Sequence, residues 1–315
     1  MRVKAVTLRE GELSVEEHPD PEPGSGELLV RVHAAGLNGA DMMQRRGRYP
    51  APPGSPQEIP GLEFAGEVVA LGPGASRFKE GDRVMAIVGG GGQAEFVAVH
   101  ERVAMPVPDA LSWPEAGGTP EVFTTADDAI FTQAELEPGE HLLVHGAAGG
   151  VGTAAAQLGR AAGARVTATV RNEALRDAVA EFGAEVIEPE GCEEHGPFDV
   201  ILELVGAPNL ATNVNSLATK GRLVVIGISA GAKGELNLGA LMGNRARIMA
   251  SHLRGRPLEE KALAARAVER RVLPLIESGS VRVPVHATYP LDQAAEAYDA
   301  FAAGGKLGKI VLDCG

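Results

Sequence analysis

The sequence predicts an α/β fold in which a β-rich first domain precedes a doubly wound parallel sheet. Short apolar runs punctuated by Gly and Pro fill residues 1–110, whereas strand and helix patterns alternate from about residue 120 to about residue 255. Alternating strand–helix units form parallel sheets with right-handed crossovers. A glycine-rich turn at 147–152, between one such strand and its helix, adds a candidate binding site to this fold.

The first part contains strand candidates bounded by turn-forming residues, which favours a small barrel-like β domain. They lie at 27–33, 66–71, 82–88 and 93–99. Ser112 predicts a helix start, because Glu115 follows three residues later and Pro114 lies in the first turn. A second helix is expected to run from Thr119 toward Glu135.

The second part alternates strands with helices. Strands are predicted at 141–145, 165–170, 184–187, 199–205 and 222–228, with helices at 152–162, 172–182 and 208–217. A sixth strand is expected at the sheet edge, 247–253, and a long helix at 257–277 follows it. The ending reads as strands 283–289 and 309–312 around a helix at 291–303, so the chain is expected to return to its first domain. We predict domains at 1–119, 120–255 and 256–315.

Composition excludes several classes of protein. The 315 residues carry 29 Lys and Arg against 42 Asp and Glu, a net charge of −13, which opposes binding to nucleic acid or to an anionic membrane. No apolar run is long enough to cross a bilayer, and the first residues lack a signal-peptide core. Cys192 and Cys314 are too few for a disulfide framework, so a reducing cytoplasm is the expected location.

The turn has the spacing Ala147-x-Gly149-x-x-Gly152 between an apolar strand and a helix. A helix N-terminus offers unpaired N–H groups and partial positive charge, and glycines let the backbone approach a phosphate closely. With the next strand the segment forms a βαβ unit, which predicts a dinucleotide held by Ala147, Gly149, Gly150, Val151 and Gly152. An ordinary strand–helix connection without a ligand is the alternative.

The end of the second strand predicts which dinucleotide binds. Folds that prefer NAD usually place Asp or Glu about 20 residues beyond the motif, where it bonds the ribose 2′-hydroxyl. This chain has Arg171 and Asn172 there, with Arg176 about one helical turn further on. A guanidinium pairs with a 2′-phosphate, so we predict NADPH. The alternative is that Arg171 is a solvated surface charge.

Further cofactor contacts are expected at the carboxyl ends of later strands, where ligands of open parallel sheets bind. These positions are Val205 after the fourth strand and Gly227 and Ile228 after the fifth.

Several segments resemble the medium-chain dehydrogenase/reductase superfamily, in its zinc-free quinone oxidoreductase branch related to zeta-crystallin. They are AAGLNGAD at 34–41, GLEFAG at 61–66, FKEGDRV at 78–84, GQAEFV at 92–97 and the turn at 147–152. The resemblance spans essentially the whole chain. It implies a GroES-like β-rich catalytic domain, a Rossmann domain and a homodimer that pairs Rossmann edge strands at 247–253.

The resemblance also bears on metal binding. Zinc-dependent relatives carry Cys where this chain has Asn38 and His where it has Leu62, and their structural zinc takes four cysteines. We therefore expect no zinc, and we interpret His141 and His145 as structural residues.

The resemblance implies roles for four further residues. Asn38 occupies the position of an active-site amide, Tyr49 that of a hydroxyl donor to a carbonyl, and Thr125 that of a threonine near the nicotinamide. The alternatives are a turn residue, loop packing and a helix residue bonding its own backbone. Lys309 matches a C-terminal motif that approaches the cofactor, and a solvated strand-end lysine is an equal alternative.

The function implied is NADPH-dependent reduction of a quinone or of an α,β-unsaturated carbonyl. Asn38 and Tyr49 would stabilise the charge that develops on the carbonyl oxygen, and the proton would come from Tyr49 or water. Two alternatives stay open. One is enoyl-thioester reduction, with Arg45, Arg46 and Arg48 at the mouth of a wider cleft, and the other is a non-catalytic NADPH-binding structural or regulatory protein.

Overall fold

Two units, each built around one large sheet, make up the structure, a computed structural model that describes residues 2–315. One unit comprises the chain up to Thr124 together with Leu253–Gly315, and the other is Thr125–His252. The boundaries therefore fall a few residues from the 119/120 and 255/256 positions expected from the sequence.

The elements of the chain up to residue 127 are mostly short strands. They are β1 (Arg2–Arg9), β2 (Glu12–Pro19), β3 (Glu27–Gly36), α1 (Gly39–Arg45), β4 (Glu63–Leu71), β5 (Arg83–Ile87), β6 (Phe96–His100), β7 (Met105–Pro106), α2 (Trp113–Gly117) and α3 (Pro120–Asp127). The four predicted strands correspond to β3, β4, β5 and β6. The predicted start of α2 is confirmed, because Ser112 and Glu115 form a capping box there.

The β1–β2 hairpin and α1 are absent from the sequence prediction. The hairpin turns at Glu10 and Gly11, which both have positive φ (50° and 87°). Two positive φ angles in a two-residue loop match the twist of the flanking strands. Glu-Gly between alternating apolar residues was thus an available signal for this hairpin.

The elements from residue 128 to 252 form the predicted parallel sheet. They are β8 (His141–Val144), α4 (Gly150–Ala161), β9 (Arg165–Thr169), α5 (Arg176–Ala180), β10 (Glu185–Ile187), β11 (Phe198–Glu203), α6 (Leu210–Ser216), β12 (Leu217–Val225), α7 (Leu238–Gly243) and β13 (Arg247–Ala250). Their order is β10-β9-β8-β11-β12-β13, and every pair is parallel. This is the doubly wound order, with its switch point between β8 and β11. The predicted α/β class is confirmed.

The last elements of the chain include two strands that join the first sheet. They are α8 (Leu258–Arg271), α9 (Leu273–Glu277), β14 (Val285–Pro290), α10 (Ala294–Ala303) and β15 (Lys309–Asp313). The first sheet runs β14-β15-β3-β4-β5-β7, and β6 also pairs with β3. The prediction of a single helix at 257–277 is wrong. Pro274 has no N–H to continue the helical hydrogen bonds, and the helix is interrupted between α8 and α9.

Two other helix predictions also differ from the structure. The helix expected to reach Glu135 ends as α3 at Asp127, and a π-helical segment, Asp128–Gln133, follows it. The helix predicted at 172–182 is a 3₁₀ turn, Glu173–Leu175, followed by the short α5. Within residues 2–315, every helix is too short or too polar to cross a bilayer.

Arg222 fixes the amino ends of the parallel strands. Its guanidinium donates to both carboxylate oxygens of Glu140 at 2.7 Å and to the Ala134 carbonyl at 2.8 Å. Bidentate pairing gives this contact geometric specificity. These contacts lie at the amino ends of the strands, opposite the carboxyl ends at which ligands bind in such folds.

Candidate functional site

The N-terminus of α4 lies directly after the turn that follows β8. Gly149 is its N-cap residue in extended backbone (φ −75°, ψ 167°), and no side chain caps the helix. Within residues 2–315, the first-turn N–H groups of Gly150, Val151 and Gly152 consequently have no side-chain partner. Such a terminus carries partial positive charge and suits a phosphate.

Gly152 brings this helix into direct contact with the turn. A Cβ at Gly152 would lie 2.5 Å from the Ala147 Cα and 2.7 Å from the Gly146 carbonyl oxygen. Both atoms belong to the backbone, so no other residue fits at this position. The turn and the first turn of α4 are thus packed directly against each other, and the N–H groups of that first turn could hold a phosphate.

The segment after β9 carries the predicted cations. Arg171 is exposed and makes no hydrogen bond or ion pair with any of residues 2–315. Arg176, by contrast, donates to the Val170 carbonyl at 3.1 Å and pairs with Glu188 at 2.9 Å. The Asn172 side chain accepts from the Ala174 N–H at 3.2 Å. Arg171 therefore has the free guanidinium in this segment, whereas Arg176 and Asn172 serve local structure.

The loops after β11 and β12 are packed closely together. A Cβ at Gly227 would lie 2.1 Å from the Leu204 carbonyl oxygen. Val205 donates its N–H to Glu203 Oε1 at 2.6 Å, and its carbonyl accepts from the Ala230 N–H at 2.9 Å. The backbone groups of Val205 are hence used internally and its side chain alone is available to a ligand. Ile228 is 43% exposed.

Lys309 is the centre of a buried polar cluster in the first unit. Its Nζ donates to the Leu37 carbonyl at 2.7 Å, to Asn38 Oδ1 at 2.6 Å and to Glu63 Oε1 at 2.7 Å. A lysine ammonium has three N–H groups, so this arrangement leaves none for a cofactor phosphate. The Lys309 side chain is 3% exposed, so the interpretation as a solvated strand-end lysine is wrong.

Asn38 is held in the same cluster. Its Nδ2 donates to Glu63 Oε1 at 2.9 Å and to the Gly36 carbonyl at 3.3 Å. Because Lys309 donates to the other end of the amide, the amide orientation is fixed. Both N–H groups point at protein acceptors, so in this arrangement Asn38 presents no donor to a bound carbonyl.

Tyr49 packs against Arg254, a residue that sequence reasoning missed. The Arg254 guanidinium carbon lies 5.2 Å from the Tyr49 ring centroid, and its Nη1 donates to the Tyr49 carbonyl at 3.0 Å. The same guanidinium donates to Gly89 and Gln44. Burial raises the pKa of the Tyr49 phenol against the opposing charge of Arg254, so the hydroxyl stays protonated at neutral pH.

Asp41 is a second residue that sequence reasoning missed. Burial raises the pKa of its carboxyl to about 7, although the Asn38 N–H donates to its Oδ2 at 2.8 Å. Its Oδ1 is buried without a hydrogen-bond partner among residues 2–315. The Asp41 carboxyl therefore exchanges its proton near neutral pH, beside the Asn38 backbone.

Thr125 lies on α3 and belongs to the second unit in the division of the chain. It is 6% exposed, and its neighbour Asp127 is 1% exposed. The structure thus brings Asn38 and Lys309 together, while Tyr49 lies in a separate contact with Arg254.

Metal-ligating side chains are dispersed in residues 2–315, where no group of three or more His, Cys, Asp or Glu could hold a metal ion. His141 bonds the Thr167 hydroxyl at 2.8 Å, and His145 bonds the Thr169 hydroxyl at 3.1 Å. The two cysteines are buried free thiols.

Two family models match the chain. The alcohol dehydrogenase GroES-like domain matches residues 24–109, and the zinc-binding dehydrogenase family matches residues 149–312. The first of these models therefore falls in the β-rich part of the sequence, and the second begins at the turn before α4.

Similar proteins extend over nearly the whole chain. A quinone oxidoreductase of Rattus norvegicus is 33% identical over 304 residues, covering 93% of this chain and 90% of that protein. A mycocerosic acid synthase-like polyketide synthase of Mycobacterium tuberculosis is 33% identical over 310 residues, 92% of this chain and 14% of that protein. A solved structure of an alcohol dehydrogenase superfamily protein from Novosphingobium aromaticivorans covers 99% of both chains with a TM-score of 0.88 and 28% identity.

Replacing Lys309, the buried cation of this cluster, tests how much its ion pair with Glu63 stabilises the fold. We expect Lys309→Met to lower the unfolding free energy by about 3–5 kcal/mol, because the Glu63 carboxylate is left buried without its cation. The matched control is Arg165→Met, which removes an ion pair to Glu185 whose side chains are 62% and 45% exposed. That change should cost at most about 1 kcal/mol. Thermal unfolding compares the two, and a Tm for Lys309→Met at or above that of Arg165→Met would contradict the expectation.

Proposed function

The chain belongs to the medium-chain dehydrogenase/reductase superfamily of oxidoreductases, and on that premise we propose that it is a zinc-independent, NADPH-dependent reductase of quinones or α,β-unsaturated carbonyls. The family relationship supports an oxidoreductase that uses a nicotinamide coenzyme. The observation that carries the preference for NADPH is the exposed, unpaired Arg171 after β9.

The coenzyme is held by the second unit. The N–H groups of Gly150, Val151 and Gly152 face the pyrophosphate, and Arg171 pairs with the 2′-phosphate. The side chains of Val205 and Ile228, at the carboxyl ends of β11 and β12, contribute apolar contacts. When bound, the coenzyme supplies the hydride.

Tyr49 is the proposed donor to the substrate carbonyl. Its hydroxyl stays protonated because burial raises the pKa of the phenol, so it donates a hydrogen bond as negative charge develops on the oxygen. Arg254 holds the Tyr49 ring in place from the other side. Asn38 supplies no donor to the carbonyl in this proposal, because both of its amide N–H groups are engaged by Glu63 and Gly36.

Zinc independence rests on the chemistry of the available side chains. At the position of a zinc-ligating thiolate the chain has the Asn38 amide, and at that of an imidazole it has Leu62. Thiolate and imidazole ligands bind zinc, whereas a leucine has no donor atom. The Asn38 Oδ1 is already the acceptor for Lys309.

Enoyl-thioester reduction is the second candidate. It uses the same addition of hydride to a β-carbon, and the similarity to a segment of a polyketide synthase favours it. A screen of NADPH oxidation with quinones, simple enones and enoyl thioesters separates the two substrate classes. Turnover of none of them, together with NADPH binding, would instead indicate a non-catalytic structural or regulatory protein.

The proposed assembly is a homodimer that pairs β13 of two copies. β13 is the last strand of the parallel sheet and pairs only with β12 among the described residues. Of the seven exposed large apolar side chains in residues 2–315, five lie between 228 and 248: Ile228, Leu236, Leu238, Met242 and Ile248. Unpaired edges and exposed apolar side chains favour association. We place the protein in the cytoplasm, as two free buried thiols suit a reducing compartment.

Arg171→Glu should reverse the coenzyme preference. A carboxylate repels the 2′-phosphate and accepts from a 2′-hydroxyl, so the ratio of NADPH to NADH affinity should fall by about 10–100-fold, the equivalent of one charge-assisted bond of about 1.5–3 kcal/mol. Isothermal titration calorimetry measures both affinities. Lys220→Glu makes the same charge change at an exposed position of the same unit and should leave the ratio unaltered. An unchanged ratio in Arg171→Glu refutes the assignment.

Tyr49→Phe should lower kcat by about 100-fold, the usual effect of removing one donor to a developing oxyanion, without changing NADPH affinity. The aromatic ring and its contact with Arg254 are retained in this variant. Tyr289→Phe removes a hydroxyl from β14 and is the matched control, with an expected kcat equal to that of the unaltered protein. Steady-state kinetics with the best substrate of the screen give kcat for both variants. Full activity of Tyr49→Phe rules out Tyr49 as the donor.

Ile248→Lys should convert the dimer to a monomer of 32.6 kDa, because a charge would be buried at the paired edge. Light scattering after size-exclusion chromatography measures the mass. Leu263→Lys charges an apolar side chain that is 70% exposed on α8, and it should remain dimeric. A dimeric mass for Ile248→Lys means that the interface lies elsewhere.

A further inference from the structure

A chain of buried polar side chains joins the carboxyl ends of β8, β9 and β11. The Thr169 hydroxyl lies 3.1 Å from His145 Nδ1, and His145 Nε2 lies 2.7 Å from Asn213 Oδ1. Asn213 Nδ2 in turn lies 2.7 Å from Glu203 Oε2. All four residues are at most 2% exposed. Burying this many polar groups is tolerated only when each of them has a hydrogen-bond partner.

The hydrogen bonds along this series of side chains have one possible direction, because the last side chain, that of Glu203, can only accept hydrogen bonds. A carboxylate has no proton to give, so the Asn213 amide nitrogen must face Glu203 and its oxygen must face His145. His145 then carries its proton on Nε2. Its Nδ1 is left as an acceptor for the Thr169 hydroxyl, because burial lowers the pKa of the imidazole and keeps it neutral.

Glu203 collects four N–H donors at the end of this chain. Its Oε1 accepts from the N–H groups of Val205 at 2.6 Å and Gly206 at 2.8 Å. Its Oε2 accepts from the amides of Asn213 at 2.7 Å and Asn209 at 3.1 Å. A glutamine could not satisfy this set, because it offers one acceptor oxygen and brings two donors of its own.

The backbone of the same residues holds the loops that surround them. The Thr169 carbonyl accepts from the Ala147 N–H at 3.1 Å, which attaches the glycine-rich turn to the end of β9. The Glu203 carbonyl accepts from the N–H groups of Ile226 at 2.9 Å and Gly227 at 3.0 Å. Every segment proposed to bind the coenzyme is therefore hydrogen-bonded to one of these four residues or lies within two residues of one in the sequence.

We infer, on the basis of the proposed function, that Thr169, His145, Asn213 and Glu203 are positioning residues that hold the coenzyme-binding loops in register, with the hydrogen-bond direction set by the Glu203 carboxylate. None of the four needs to touch the coenzyme. Their effect is exerted through the turn at 147–152, through Arg171 and through the Val205 and Gly227 loops.

The direction of the chain has a distinct consequence in Glu203→Gln. The backbone N–H groups of Val205 and Gly206 still need an acceptor, so the oxygen of the new side-chain amide stays beside them. The new NH₂ group therefore faces Asn213. Asn213 must then turn over and present its nitrogen to His145, which has to accept at Nε2. The proton of His145 consequently moves to Nδ1, where it is donated to the Thr169 hydroxyl.

The experiment combines ¹⁵N NMR of the His145 ring with NADPH titration of the full-length protein. We expect an Nε2–H tautomer in the unaltered protein and an Nδ1–H tautomer in Glu203→Gln, with NADPH bound on the order of tenfold more weakly, a usual size for coupling between sites. The double variant Glu203→Gln/Asn213→Asp moves the carboxylate to position 213 and keeps the net charge. It should restore both the Nε2–H tautomer and the affinity, a rescue that loss of packing alone would not show.

Each outcome decides. An unchanged tautomer in Glu203→Gln overturns the directed chain, and a changed tautomer with unaltered NADPH affinity overturns its positioning role. Failure of the unaltered protein to bind NADPH refutes the proposed function instead, while the tautomer still reports on the chain. If Glu203→Gln does not fold, Thr169→Val removes the donor to His145 Nδ1 at nearly constant volume. It should weaken NADPH binding in the same way, and full affinity in that variant overturns the inference.

Discussion

The buried ion pair between Lys309 and Glu63 is the interaction on which the first unit depends. It joins β15 to β4, and Glu63 also accepts from the N–H of Glu121 at 2.8 Å, at the start of α3. The Glu63 side chain is fully buried, so its charge is tolerable only with this complete set of partners. Close backbone approach is required as well, since a Cβ at Gly36 would lie 2.3 Å from Glu63 Oε1. The orientation of Asn38 follows from this pair.

The second unit satisfies a buried carboxylate in another way. Among residues 2–315, no cation is in hydrogen-bond contact with Glu203, which is satisfied by backbone and amide N–H groups. The N–H donors around Glu203 fix the positions of the backbone and amide groups that carry them, whereas the Lys309 ammonium joins three acceptors that lie on different elements. This difference suits the two places. The Lys309 cluster joins strands and a helix start of the first unit, and the Glu203 cluster lies at the carboxyl ends of the parallel strands.

Sequence reasoning succeeded where a local pattern has one structural solution. The capping residues Ser112 and Glu115 and the strand–turn–helix pattern before α4 are such cases. It failed where the pattern is shared by several structures. The run 257–277 is rich in helix formers, and only the missing N–H of Pro274 divides it. The β1–β2 hairpin was missed although Glu10 and Gly11 mark its turn, because β2 carries only two large apolar side chains, Leu13 and Val15.

The sequence by itself determined the fold class, the glycine turn before α4 and the cation at Arg171, because each depends on neighbours a few residues away. Tertiary structure alone decided which polar groups are free. Lys309 meets Asn38 across 271 positions, and Arg254 meets Gln44 across 210. Hydrogen bonds of this kind form only after the sheets have brought distant strands together, so no spacing in the sequence encodes them. For that reason Asn38 and Lys309 appear in the sequence as groups available to a ligand, and in the folded chain they bind each other.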